Sequence, residues 1–393
     1  MDLNHINVAF VCNYAADYGG NFLCMLVALA KTITGQWNGN VLFIFPCQGD
    51  KAWLQQLQNQ YSVAFVGSPY IKTTVKELTN LFNLYHIDIV HTHFEEYDVT
   101  VARAASRAII HPKMVWHLHD NMTNERPGTH WPYLHKLMAN YRRWKQYGWY
   151  GRNAFFVPVS TEVGAWENHY RRHFFTFAPE NLSREQLSHV KLIRGKVVIN
   201  GIDIMRLKDG KKPQLDQRPF KFITFGGQSY RKGIPTILDA ADRLNRQRHD
   251  FTVTITLGAD TAEMVHQHYG TSLPSWLILI KQTESVAGLL SSNSCFISAS
   301  MQETMSMAVA EASIIGLPVI QSDIIGTWWN AENPSTYLFP VSNADKLAEK
   351  MAQVMDEDPK VLAELCAITA KINKERLSMQ KWVDNIIDIY HGL

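Results

Sequence analysis

Short β-branched or apolar runs alternate with longer helical patterns almost from one end of this sequence to the other. That alternation is the pattern of parallel sheets covered by helices, so an α/β chain is expected. In the first half the runs predict strands over Asn7–Cys12, Val41–Phe45, Ser62–Val66, Ile87–His91, Lys113–Leu118 and Phe155–Val159. In the second half they predict strands over Phe220–Phe225, Phe251–Leu257, Trp276–Ile280, Cys295–Ser298 and Pro318–Ser322. Each half reads as a doubly wound sheet. Between them Lys208–Pro219 is polar and punctuated by Gly210, Pro213 and Pro219, the best linker candidate. Helices are expected over Asp345–Met355 and Pro359–Ala370, then an amphipathic one from about Lys374 to Tyr390. There is no repeat of solenoid length and no low-complexity tract.

At 393 residues, 46% hydrophobic and 19% charged, the chain exceeds one ordinary core and calls for two domains. Its longest apolar stretches run about five residues, against the ~20 that span a bilayer, so no transmembrane helix is expected. The N-terminus has no basic region ahead of a long apolar core, so secretion is not expected either. Cys12, Cys24, Cys47, Cys295 and Cys366 are odd in number and widely spaced, which suits buried free thiols in a reducing, cytoplasmic compartment. A net charge of +2 is too small to imply nucleic-acid binding over the whole surface.

The strongest local signal is Ser298–Ile320. A strand ends near Ser298, a loop carries Glu303, a helix is expected from about Thr304, and Gly316-Leu317-Pro318 stops it before the next strand. Glu303 therefore stands at the carboxyl end of a strand, where open α/β sheets bind ligands, beside helix amides that can receive an anion. Glu311 lies eight positions on, about 12 Å away if the segment is helical throughout. The two carboxylates cannot share a proton, but they can bracket an extended ligand.

This stretch resembles the motif of retaining GT-B glycosyltransferases, in which two glutamates eight positions apart precede Gly-Pro-Val. Asn200-Gly201-Ile202-Asp203, Lys232-Gly233 and Asp323-Ile324-Ile325-Gly326 are similar to further family segments, so the resemblance covers most of residues 195–350. It implies an α/β fold of GT-B type, with two doubly wound Rossmann-like domains facing across a cleft. It also implies a donor site formed by Gly20, Gly227, Arg231, Lys232, Glu303, Met305, Ser306 and Glu311. Two departures stand out: Gly227 replaces an arginine that holds the diphosphate, and Thr304-Met305-Ser306 replaces Gly-Phe-Gly after Glu303. Lys232 keeps its place, and an ammonium there suits the charge that grows on a leaving nucleoside diphosphate without a metal.

In the first half, Gly19-Gly20 follows the first strand and precedes a helix, so backbone can approach an anion or sugar, as in the Gly-Gly turn of the family. His91-Thr92-His93 and His117-Leu118-His119-Asp120 each end a predicted strand. Period-2 alternation puts both histidines of a pair on one face, about 6.6 Å apart. Such pairs suit a metal, which makes a metal-dependent hydrolase the alternative reading, although further carboxylates and histidines do not fall at recognisable spacing. His119-Asp120 is similar to the His-Asp of the family, which implies that His119 contacts the transferred sugar and lies with Gly19, Gly20 and Asp120 on the acceptor side.

From Pro127 to Thr161 there is no acidic residue, while Lys136, Arg142, Arg143, Lys145 and Arg152 interleave with seven Trp and Tyr residues. A basic, aromatic segment of this kind, taken as 131–152, suits peripheral contact with an anionic membrane or a phosphorylated lipid acceptor. The expectations are then an acceptor-side domain over 1–205, a donor domain over 206–375 and a final helix, 376–393, that crosses back. The expected activity is transfer of a sugar from a UDP- or GDP-sugar to a glycan, lipid-linked or protein acceptor in polysaccharide biosynthesis, with retention and with no cofactor or metal. The expected place is the cytoplasm, at the inner face of the membrane. A catalytically inactive GT-B partner subunit is the third reading, because Gly227 removes a phosphate ligand.

Overall fold

The computed structural model describes residues 4–17, 19–46, 50–120, 132–173, 183–211, 213–283 and 285–393. They form two compact units. The described residues up to Gly201, with Met379–Leu393, make the first, and Ile202–Ser378 make the second.

The first unit holds a parallel sheet of β1 (Asn7–Cys12), β2 (Asn40–Pro46), β3 (Ser62–Val66), β4 (Ile89–His93), β5 (Lys113–Leu118) and β6 (Phe155–Pro158), in the order β3-β2-β1-β4-β5-β6. The second holds β7 (Phe220–Phe225), β8 (Phe251–Thr256), β9 (Leu277–Ile280), β10 (Cys295–Ser298), β11 (Val319–Ser322) and β12 (Thr336–Phe339), also parallel, in the order β12-β11-β10-β7-β8-β9. Both are Rossmann-like. The order in which strands are added reverses between β1 and β4 in one sheet and between β7 and β10 in the other, and a crevice opens at the carboxyl ends of strands at such a reversal.

The strands are apolar runs because both faces of each sheet are covered. Alternate residues point to opposite faces. Val8, Phe10, Val41, Phe43 and Ile89 thus pack with Leu26, Leu29 and Trp382 on one side of the first sheet, while Ala9, Val11, Leu42, Ile44 and Trp116 pack with Val101 and Trp166 on the other. The second sheet divides its residues in the same way, Phe222, Val253 and Ile297 against one layer and Ile223, Phe296 and Val319 against the other.

Several boundaries depart from expectation. β4 runs to His93 instead of ending at His91, because its pairing with β1 continues as far as Cys12 opposite His93. The helix expected from Thr304 begins at Met307, since the Ser306 hydroxyl accepts from the Val309 amide and caps it. Glu303 consequently lies in a loop and only Glu311 on a helix. The stretch Lys208–Pro219 lies inside the second unit, where Leu215 is buried in the core. The helix expected over Pro359–Ala370 runs on to Arg376, so the terminal amphipathic helix starts at Met379 and not at Lys374; it spans Met379–His391 and packs in the first unit through Trp382, Val383 and Ile386. Cys12, Cys24, Cys295 and Cys366 are free thiols, and Cys47 lies outside the described residues.

Candidate active site

In the second unit two loops meet at the reversal point, one after β7 and one after β10. The β7 loop ends at Gly233, whose φ is +68° and where a Cβ would fall 2.0 Å from the Ala299 carbonyl oxygen. Only glycine fits that approach. The amide of Met301 donates to the Arg231 carbonyl at 2.8 Å, which ties the loops together. Lys232 and Glu303 are thereby brought into contact, with Nζ to Oε1 at 2.5 Å. The Ser300 hydroxyl donates to the same oxygen at 2.8 Å, and the Arg231 guanidinium stands 3.7 Å from Oε2. Behind the carboxylate, Gly326 packs so closely that a Cβ would sit 1.9 Å from the Glu303 carbonyl oxygen.

Glu303 is 8% exposed. Burial pushes its carboxyl up, but Lys232 and Arg231 more than reverse this and hold it below the usual carboxylate range. The result is an anion with two cations gathered on it. A ligand carrying phosphates can take over the cations, while the freed carboxylate accepts hydroxyl protons.

Glu311 lies in the helix Met307–Ile315 and pairs with Arg206 at 3.3 Å. Burial raises its carboxyl, and Arg206 opposes only part of the rise. Met305 is buried, and the Ser306 hydroxyl is engaged as the helix cap. At Gly227 a Cβ would meet only the stem of Lys232, at 3.8 and 3.9 Å, so Lys232 passes beside the place of the absent arginine side chain.

In the first unit, Gly19 and Gly20 open the helix Gly20–Gln36, with Gly20 at φ +56° and the Tyr14 hydroxyl donating to the Gly19 carbonyl at 3.1 Å. Beside them β4 and β5 bring four imidazoles together. His91 and His93 are 4.4 Å apart between ring centroids, as are His117 and His119. Ring nitrogens join across the strands: His117 Nδ1 to His91 Nε2 at 3.3 Å and His93 Nδ1 to His119 Nε2 at 3.1 Å. The Tyr390 hydroxyl holds His91 Nδ1 at 2.7 Å.

Burial drives all four below the usual histidine range, with His91 and His119 brought to about 3, so the cluster is neutral at neutral pH. His91, His93 and His117 each place a ring nitrogen within 4.8 Å of the others. Both nitrogens of His91 are already engaged, however, so a metal could use it only by breaking one of its hydrogen bonds. Asp120 follows His119 directly in the chain.

The second unit also supplies a comparison in sequence: residues 205–376 match the model of glycosyl transferases group 1. The match lies within the second unit and spans just under half of the chain. Among solved structures of similar fold, HepE of Anabaena in complex with UDP-glucose matches at 16% identity and a TM-score of 0.76, covering 99% of this chain and 100% of that one. Sucrose-phosphate synthase from Thermosynechococcus elongatus matches at 14% identity and 0.71, covering 98% of each. A glycosyltransferase from Rickettsia africae matches at 14% and 0.73, covering 99% and 98%. No curated protein matches in sequence.

Sequence reasoning missed Ser300, Arg206 and the cluster partner Tyr390. Ser300 carried a signal, since it stands three residues before Glu303 in the loop that follows β10. Arg206 and Tyr390 reach their partners only through the fold, 105 and 299 residues away in sequence.

The basic aromatic segment divides. Trp131 and the residues before it back to Pro127 lie outside the described residues. Beyond them runs the helix Tyr133–Arg143, with Leu134 at 70% and Met138 at 54% exposure and Arg142 also exposed. Tyr147, in contrast, is fully buried and donates to Glu95 at 2.7 Å. Arg143, Lys145 and Arg152 lie over the rings of Tyr170, Tyr141 and Trp149. No helix among the described residues is long and apolar enough to cross a membrane.

Proposed function

We propose that the enzyme transfers a sugar from a nucleoside diphosphate donor of the UDP- or GDP-sugar type, with retention at the anomeric carbon and without a metal. The carrying observation is the pair of cations, Lys232 and Arg231, held on the buried Glu303 at the reversal point of the second sheet. In this reading Lys232 stabilises the departing diphosphate, Glu303 accepts sugar hydroxyls and Glu311 accepts ribose hydroxyls. HepE was solved with UDP-glucose, which favours UDP as the first nucleotide to try.

The first unit serves the acceptor in the same reading, and His119 contacts the transferred sugar. The helix Tyr133–Arg143 and the residues after it provide peripheral contact with an anionic membrane at its cytoplasmic face, because exposed Leu134 and Met138 share that helix with the exposed Arg142. A lipid-linked acceptor is accordingly the favoured class.

A thermal-shift series tests the donor assignment. UDP, GDP and their sugars are added with and without EDTA, and a ligand at 100 times its Kd stabilises by about 2.7 kcal/mol. The expected result is a shift with one nucleotide that EDTA leaves unchanged. No shift with any of them would end the donor assignment.

A further inference from the structure

The histidine cluster fixes where protons sit, and hydrogen-bond accounting determines the position nearest the proposed reaction. A neutral imidazole has one N–H and one lone pair. His93 is fully buried; its Nδ1 lies 3.1 Å from His119 Nε2, and its Nε2 is buried with no hydrogen-bond partner. If the His93 proton sat on Nε2, a buried donor would have no acceptor. If it sits on Nδ1, it is donated to His119 and only a lone pair goes unmatched. Orphaned buried N–H groups are rarer than under-satisfied acceptors, so the second arrangement prevails.

The consequence passes to the neighbouring ring. Because His119 Nε2 accepts from His93, the single proton of neutral His119 lies on Nδ1. Packing holds the same ring in place: His117 stacks at 4.4 Å, Phe94 lies at 5.1 Å, and Phe22 meets it edge-on at 5.7 Å and 90°. We infer that His93 is a positioning residue for the glycosyl transfer, which holds the His119 ring and commits it to the Nδ1–H tautomer in which it meets the sugar. His93 itself touches no substrate in this scheme. It rests on the proposed contact between His119 and the transferred sugar.

The test joins spectroscopy to kinetics on the full chain. Nitrogen-15 imidazole spectra of the wild type should show His119 protonated on Nδ1. His93→Phe keeps bulk but removes the donor, and should lose that tautomer and lower kcat by roughly 10-fold, a fraction of the 10²- to 10⁴-fold that a positioned acid or base contributes. The donor KM should barely move. His93→Asn, whose amide N–H can stand in for Nδ1–H, should restore both tautomer and turnover. A wild-type His119 protonated on Nε2 would overturn the inference, as would His93→Phe with tautomer and kcat intact. Should His93→Phe fail to fold, the wild-type spectrum decides alone. Full transfer by His119→Ala would remove the sugar contact from the proposed function and leave the tautomer assignment to be judged by the spectrum.

Discussion

Glu303 and His119 each follow a strand's carboxyl end near the point where their sheet reverses, yet the two units solve the burial of a polar group in opposite ways. In the second unit the charge is kept and matched: Lys232 and Arg231 hold a buried carboxylate ionised. In the first the charge is given up, and four imidazoles are neutral because burial penalises the cation. A matched ion pair can exchange partners when a charged ligand arrives. A neutral hydrogen-bonded cluster cannot, but it can fix the direction of each proton. The difference suits one unit to an anionic leaving group and the other to uncharged hydroxyls.

The largest effect that would break this contrast comes from the ammonium. Lys232→Ala should lower kcat by about 10² to 10³, the scale of losing one transition-state stabiliser. The same change strips Glu303 of its nearer cation, so its carboxyl should rise and activity should fall away at a higher pH on the acid side. Steady-state kinetics across a pH series measures both. Wild-type transfer by the variant would remove the phosphate role from Lys232.

The neutral cluster makes a prediction of the opposite kind, in stability. Buried His91 titrates at about 3 in the folded chain and near 6.5 when unfolded. Between those values the unfolded chain binds more protons, so this contribution is fully present above about pH 6.5 and is lost as pH falls. From pH 7.5 to 5.0 the loss is about 2 kcal/mol. Glu162 and Glu167, raised to about 7 by burial, act in the reverse sense, so the whole-protein curve is not the measure. The measure is His91→Asn against wild type: its relative stability in urea should improve by about 2 kcal/mol on acidification. Parallel curves would mean that His91 is not held neutral.

The same contrast explains what the sequence disclosed. Parallel strands announce themselves as apolar runs because both their faces are buried, and eleven strands were placed to within two residues at their starts and ends. The short β12, Thr336–Phe339, was missed because four residues directly after Asn333-Pro334-Ser335 offer almost no run. Lys232 and Glu303 were legible as motif residues, but their contact was not, since it depends on Gly233 letting one loop press against Ala299. The helix start was misjudged because Ser306 caps it, and the spacing of Glu303 and Glu311 says nothing about where the helix begins. His-x-His pairs were visible as strand-end histidines, whereas their merger into one cluster needed the register that sets His93 beside His117.

Arg231 offers the smallest and most discriminating effect, because it decides whether the charged site has one working cation or two. Its guanidinium is 3.7 Å from Glu303, against 2.5 Å for Lys232, and it also donates to the Gln302 carbonyl at 3.3 Å and to the Gln228 side chain at 3.2 Å. It therefore has two available tasks, holding charge and holding the loop. Arg231→Ala removes both and should cost about tenfold in kcat, the scale of one hydrogen bond to a charged group. Arg231→Lys keeps the charge but loses the planar fork that reaches two acceptors. If charge is the task, lysine should recover most of the loss; if loop position is the task, it should recover little. The double variant with Lys232→Ala completes the cycle. Two cations acting on one diphosphate should give a combined loss well short of the product of the single losses, as groups with a shared task do. A simple product would assign Arg231 to the loop and leave Lys232 as the cation that meets the leaving group.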